Sequence, residues 1–89
     1  MTEEQKKQKT AFNQRIGQRI AALRKLAGLS QEQLSDLAGL QRTHVSRIEA
    51  GKYDVHAFTV QLIAEALGMT VDIVDTGLQD LAPLTRLTP

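Results

Sequence analysis

One face of a predicted helix near the middle of the chain carries side chains with the chemistry of base recognition. The members of this reading face are Arg42, Thr43, Ser46 and Arg47. Their spacing of i, i+1, i+4 and i+5 places them on one side of a helix, opposite the apolar Val45 and Ile48. Arginine donates two hydrogen bonds to guanine, and a hydroxyl reaches a base edge. The face therefore favours DNA reading, with an ordinary solvated helix surface as the alternative.

The histidines give little support for catalytic or metal chemistry. His44 and His56 have no partners at ligand spacing and no nucleophile to serve. The chain contains no cysteine, so neither a disulfide framework nor a thiolate metal site is expected. We therefore expect no enzyme activity, no cofactor and no metal. His44 is expected to join the DNA-reading residues, and His56 to cap a fourth helix.

Two short helices joined by a tight turn are predicted to carry the reading face. Ser30 stands at an N-cap position and Gln33 follows three residues later, which is a capping-box pattern. Gly39 ends the first of the two helices, because glycine adopts a left-handed conformation without a Cβ clash. The second helix begins near residues 41–42 and ends at Gly51.

Apolar residues at helical spacing predict two flanking helices and a shared core. The first helix is expected over residues 10–27, closed by Gly28, and the last over residues 57–67. The predicted core stripes contain Phe12, Ile16, Ile20, Leu23, Ala27, Leu34, Leu37, Ala38, Val45, Ile48, Ala57, Val60, Ile63, Ala64 and Leu67. Phe58 and Leu62 form a second apolar pair on the last helix, and a dimer contact is its expected cover.

These patterns together resemble the XRE family, the helix-turn-helix of phage repressors and Cro. The resemblance is carried by LSQEQLSDLAGL at residues 29–40 and then by Val45, Ile48, Glu49, Gly51 and Lys52. The flanking segments RIAALRKLAGLS and LIAEALGM extend it to residues 15–69. Two positions depart from the family pattern: Ser35 replaces a usual alanine, and Gln41 replaces a usual Ser or Thr cap. The implied fold is mainly α, a compact lambda-repressor-like domain of four to five helices.

The resemblance also implies roles for residues outside the reading face. In the family, an arginine at the position of Arg24 pairs with a glutamate at the position of Glu49. Such a pair would tie the first helix to the third. The alternative is a solvated Arg24. Gln31 and Lys52 match residues that contact the DNA backbone in the family. Tyr53 is expected to add a hydroxyl to a phosphate, with packing on the loop as the alternative.

The C-terminal part of the chain departs from a purely helical pattern. Residues 70–75, TVDIVD, are rich in β-branched residues and precede a Thr-Gly breaker, so they predict a strand. Because the chain offers no second strand of similar quality, the partner is expected to be the same segment of another copy. The expected dimer contacts are Phe58, Leu62, Val71, Ile73 and Val74. In having a strand after the last helix, the chain also resembles the HipB type of antitoxin, in which this fold dimerises through a small sheet between subunits.

The expected organisation has four parts. Residues 1–9 form a flexible charged arm, 10–68 the helix-turn-helix domain, 69–76 the dimerisation strand and 77–89 a loose tail. The arm is expected to be either frayed or an exposed helix. The start of the chain is polar and no apolar run approaches membrane length, so a cytoplasmic protein without a membrane partner is expected.

The distribution of charge supports a nucleic-acid partner more than the net charge of +1 does. Residues 1–56 carry ten Lys/Arg against six Asp/Glu, whereas residues 57–89 carry one against four. A basic front suits contact with phosphate. The predicted function is a sequence-specific DNA-binding regulator, a repressor acting as a homodimer on a palindromic operator of double-stranded DNA. The alternatives are a HipB-like antitoxin that also binds a kinase-like toxin, and a protein-bridging module without DNA specificity.

Overall fold

Residues 1–70 are described by a computed structural model of the chain, and their regular structure is helical. The helices are α1 (Glu3–Leu26), α2 (Gln31–Ala38), α3 (Arg42–Glu49) and α4 (Ala57–Ala66). The mainly α helix-turn-helix fold predicted from the sequence is confirmed over these residues. The predicted strand, apart from Thr70, lies outside the described residues together with Val71, Ile73, Val74 and the tail.

The first helix begins earlier than the sequence analysis predicted, at Glu3 instead of near Thr10. Thr2 is its N-cap: the Thr2 hydroxyl accepts from the backbone N–H of Gln5 at 3.1 Å, and the Gln5 side chain accepts from the Thr2 N–H at 2.8 Å. This capping box satisfies two N–H groups at the helix start. Glu3 and Glu4 in the first turn also favour the helix, because they face its positive end.

The second helix starts and stops as its sequence indicates. The Ser30 hydroxyl accepts from the Gln33 N–H at 3.0 Å, and the Gln33 side chain accepts from the Ser30 N–H at 2.8 Å. Gly39 closes the helix in the left-handed conformation, with φ of 71°. The third helix then begins at Arg42, and its N-cap Gln41 makes no side-chain capping hydrogen bond. The weaker cap matches the departure from the family pattern at that position.

An aliphatic core joins the four helices. Its buried members are Ile16, Ile20, Leu23, Leu34, Ala38, Val45, Ile48, Ile63, Ala64, Leu67 and Met69. Four residues of the predicted stripes are exposed instead: Phe12, Ala27, Leu37 and Ala57. Phe12 precedes the part of α1 that meets the other helices, and Leu37 lies outside the narrow buried face of α2, which contains Ser35. Helical spacing alone therefore overestimates the width of the buried stripe near the helix ends.

Gly17 permits a close crossing of α1 and α3. A Cβ at this position would lie 2.2 Å from the carbonyl oxygen of Ile48 and 3.0 Å from that of Glu49. Only a residue without a side chain allows the backbones to approach so closely. The crossing fixes α3, and with it the reading face, relative to α1. Across residues 1–70, none of the helices combines the length and apolar character needed to cross a membrane.

Candidate nucleic-acid interface

The reading face forms one continuous, solvent-open surface on α3. Its four members are exposed and together line a shallow groove of about 290 Å³. Val45 and Ile48, on the opposite side of the helix, have no exposed surface. The groove lining combines two guanidinium groups with two hydroxyls and contains no carboxylate. Such a surface can donate hydrogen bonds to acceptors in the major groove while its charge attracts phosphate.

His44 is not part of this groove. Its ring is half-buried and packs edge-on against the ring of Tyr53, with 4.5 Å between the ring centroids. The Nε2 atom of His44 is buried and has no hydrogen-bond partner among the described residues. The structure thus separates His44 from the other four predicted reading residues, and its contact with a base stays a prediction.

Arg24 and Glu49 link α1 to α3. Arg24 Nε donates to Glu49 Oε2 at 2.6 Å, and Arg24 Nη2 donates to Glu49 Oε1 at 2.9 Å. A third bond runs from Arg24 Nη1 to the carbonyl oxygen of Leu29 at 2.8 Å. The side chains are only 10% and 6% exposed. The hydrogen bond to Glu49 raises the pKa of the Arg24 guanidinium above its ordinary value, although burial opposes this.

Gln31 belongs to the same network. Its side-chain Nε2 donates to Glu49 Oε1 at 3.0 Å, so the amide is engaged inside the protein. In the first turn of α2 the Gln33 N–H is bonded to Ser30. The backbone N–H groups of Gln31 and Glu32 have no partner within their own helix and are the groups suited to a phosphate there. The network therefore connects three helices, and the predicted phosphate contact of Gln31 stays a prediction.

The loop after α3 presents one exposed cation. Lys52 is exposed, and its backbone N–H donates to the carbonyl oxygen of Arg47 at 3.0 Å. Tyr53 is half-buried, and its ring lies between those of His44 and His56, at centroid distances of 4.5 and 6.4 Å. His56 occupies the N-cap position of α4, as predicted, but makes no side-chain capping bond. The backbone contacts expected of Lys52 and Tyr53 stay predictions.

Asp54 makes contacts that the sequence analysis missed. Asn13 Nδ2 donates to Asp54 Oδ1 at 2.8 Å, and Lys9 Nζ lies 2.5 Å from Asp54 Oδ2. The hydrogen bond from Lys9, followed by that from Asn13, lowers the pKa of the Asp54 carboxyl below its ordinary value. Asn13 and Asp54 are 41 positions apart, and no local pattern marks the pair.

One apolar side chain on α4 is relevant to the expected dimer. Phe58, on α4, is 66% exposed, while Leu62 one turn later is half-buried. The Phe58 side chain is available for the expected dimer contact.

In the described part of the chain, no three His, Cys, Asp or Glu side chains come together as a metal site.

Comparison with known proteins places this geometry in a family. The family model of the helix-turn-helix proteins matches residues 20–74. The chain is 39% identical over 59 residues to the immunity repressor protein of Bacillus phage phi105, a match that covers 66% of this chain and 41% of that protein. It is 32% identical over 56 residues to the control protein C.SmaI of Serratia marcescens, covering 63% and 67% respectively. The chain thus spans less than half of the phage repressor.

Solved structures give the same result. The restriction-modification controller protein C.AhdI from Aeromonas hydrophila matches with a TM-score of 0.70 and 36% identity, over 72% of this chain and 97% of that one. The hypothetical transcription factor NHTF from Neisseria matches with a TM-score of 0.73 and 26% identity, over 82% and 84%. Because the family model covers more than half of the sequence, the chain belongs to the helix-turn-helix family, in the XRE type that its residues resemble.

Proposed function

We propose that this chain is a sequence-specific DNA-binding transcriptional regulator that represses as a homodimer on a palindromic operator. The reading face carries the proposal: two arginines and two hydroxyl side chains line one open groove on α3, with no carboxylate among them. An exposed helix of this kind enters the major groove with its outer residues against base edges. The relatives named as a repressor, a control protein and a controller support a regulatory role.

Phosphate contacts on either side of the reading face orient α3. The backbone N–H groups at the start of α2 and the exposed Lys52 after α3 are the proposed anchors. Such contacts carry no sequence information, but they fix the register of the protein on the duplex. Arg24, Glu49 and Gln31 hold the helices in one arrangement, so that the anchors and the reading face meet the DNA together.

The proposed dimer follows from the small size of a single reading surface. One eight-residue helix reads few base pairs, whereas two copies related by a two-fold axis read half-sites about one helical turn apart. The exposed Phe58 is the described residue best suited to the contact between copies. Leu62 beside it and the predicted strand with Val71, Ile73 and Val74 complete the proposed interface.

The two alternatives have less support from the described residues. The antitoxin reading depends on residues 70–75, which lie almost entirely outside the described part. A protein-bridging module has no need for two arginines and two hydroxyls on one open helix face.

Selection from a pool of random duplexes tests the function. We expect the protein to enrich a sequence with two-fold symmetry and to bind it about 10³-fold or more tightly than a scrambled duplex at physiological salt. The Arg42→Ala/Arg47→Ala double variant is the matched control, because it removes both guanidinium groups of the groove without touching the core. Equal affinity of the parent for selected and scrambled duplexes would contradict the proposal.

A further inference from the structure

The N-terminal half of α1 is ordered as a helix but contributes nothing to the core. Every residue from 3 to 12 is exposed, and the buried side of the helix starts at Asn13. A helical extension without buried apolar side chains gains little from packing, since most helical stability in proteins comes from a buried face. The contacts of this half of α1 with the rest of the described chain instead involve polar side chains.

These contacts converge on the loop that follows α3. At the start of the loop Gly51, with φ of 73°, lies so close to α1 that a Cβ would be 2.9 Å from the Cα of Gln14. At the other end, Asp54 accepts the hydrogen bond from Asn13 at 2.8 Å and pairs with Lys9. Both ends of the loop are thus docked on α1, and the exposed Lys52 lies between them.

The charge of Asp54 gives the docking a second effect. Asp54 stands two residues after Lys52, on a loop proposed to face the DNA backbone. A free carboxylate there would attract the Lys52 ammonium group away from phosphate. Lys9 places a positive charge against that carboxylate, and Asn13 holds one of its oxygens on α1.

We propose that the N-terminal half of α1 is a platform for DNA-backbone binding, on which Asn13 and Lys9 act through Asp54 as positioning residues for Lys52. The inference rests on the proposed DNA-binding function and deepens it. It assigns a role to residues 3–14, all of which precede the part of the chain that the family model matches, residues 20–74. The platform governs affinity for any duplex, because the group that it positions contacts phosphate and not bases.

A double-mutant cycle on DNA affinity tests the platform. Asn13→Ala is expected to weaken binding to the selected and the scrambled duplex by the same factor, about threefold, and to reduce the salt slope by up to about 0.9, the value of one phosphate contact. Lys52→Ala should do the same. The double variant should bind no more weakly than Lys52→Ala alone, because Asn13 acts through Lys52. A purely structural role for Asn13 would instead give multiplied losses.

Two further variants separate the hydrogen bond from the side chain's bulk. Asn13→Asp places a second carboxylate against Asp54 and should weaken binding more than Asn13→Ala does. Adding Asp54→Asn exchanges donor and acceptor, restores one hydrogen bond and one charge beside Lys9, and should recover the parent affinity. Gln18→Ala is the matched control: it removes an exposed amide from the same helix and should leave affinity unchanged.

A measurement without DNA distinguishes failure of the platform from failure of the proposed function. Asn13→Ala should speed amide hydrogen exchange at residues 51–54 of the free protein, and Gln18→Ala should not. If the parent selects no sequence but the exchange result holds, the docking stands and the proposed function fails. If the parent binds DNA and either the cycle shows multiplied losses or the exchange is unchanged, the platform is wrong.

Discussion

Arg24 and Glu49 join α1 to α3 through two parallel hydrogen bonds, Nε to Oε2 at 2.6 Å and Nη2 to Oε1 at 2.9 Å. Such a forked pair fixes the orientation of both side chains as well as their distance. Because Glu49 is the last residue of α3, the pair anchors the end of the reading helix to α1. Gln31, on α2, binds the same carboxylate, with its Nε2 atom donating to Glu49 Oε1 at 3.0 Å.

Removal of Arg24 is expected to destabilise the fold strongly. Arg24→Ala leaves the carboxylate of Glu49 buried without its cation, and the loss of one partner of a buried pair costs about 3–5 kcal/mol. Arg19→Ala, for which no ion pair occurs among the described residues, should cost much less. Chemical denaturation measures both. In a cycle with Glu49→Ala, additive changes to within about 0.5 kcal/mol would show that the two side chains are not energetically coupled.

Arg47→Ala is expected to lower affinity for the selected duplex by about 1–3 kcal/mol and to relax the preference at one base-pair position. The reason is that the Arg47 guanidinium lies on the open groove, one turn into α3. Titrations against selected and scrambled duplexes measure the effect. Lys52→Ala is the comparison, since loss of a phosphate contact weakens all sequences alike. A uniform loss for Arg47→Ala would show that Arg47 does not read a base.

Gly17→Ala is expected to destabilise the protein, against the usual trend for glycine in a helix. Alanine is normally more favourable there by about 0.5–1 kcal/mol. Here the new Cβ would lie 2.2 Å from the Ile48 carbonyl oxygen, which forces the two helices apart. Overpacking of this kind costs about 1–3 kcal/mol. Thermal unfolding is the measurement, and a rise in Tm for Gly17→Ala would show that the crossing has room for a Cβ at residue 17.

The carboxyl of Asp54 is expected to titrate below its ordinary pKa of 3.8, because Lys9 and then Asn13 stabilise the charged form. The folded state holds this proton less tightly than the unfolded chain, so the stabilisation is present above about pH 3.8 and disappears as pH falls through the lower folded pKa. Carbon NMR of the Asp54 side chain follows the titration. The midpoint should move upward in Asn13→Ala. An unchanged midpoint would show that Asn13 does not lower the pKa of Asp54.

Ile73→Pro is expected to shift the protein from dimer to monomer. Residue 73 lies outside the described residues, and the prediction rests on the β-branched sequence of residues 70–75. A proline removes a ladder hydrogen bond from a strand. Sedimentation at matched concentrations compares the parent, this variant and Thr85→Pro, a control in the predicted tail. Dimerisation of Ile73→Pro as strong as that of the parent would exclude the shared sheet.

Local patterns in the sequence predicted much of the fold. The Ser30 and Gln33 capping box and the left-handed Gly39 are contained in short stretches of sequence, so the bounds of α2 followed from residue types alone. The same four-residue pattern occurs at Thr2 and Gln5, but the charged composition of residues 1–9 leaves a frayed arm and an exposed helix as alternatives. The grouping of the four reading residues also followed directly from helical spacing.

Contacts between distant parts of the chain were not predictable in this way. The need for glycine at position 17 depends on where α1 crosses α3, and the hydrogen bond from Asn13 to Asp54 joins residues 41 positions apart. The position of His44 likewise depends on its edge-on contact with Tyr53, a residue of the following loop. Helical spacing predicts that His44 lies on α3, but it does not predict which side chain His44 contacts.

The position of Tyr53 also determines which part of this protein its intrinsic fluorescence reports on. The chain contains one tyrosine and no tryptophan, so its near-ultraviolet fluorescence originates almost entirely from the loop between α3 and α4. The core is aliphatic and gives no emission. Fluorescence therefore follows the edge-on contact of Tyr53 with His44, whereas far-ultraviolet circular dichroism follows the helices. The unlabelled protein carries a native optical probe beside Lys52, at the segment proposed to meet the DNA backbone.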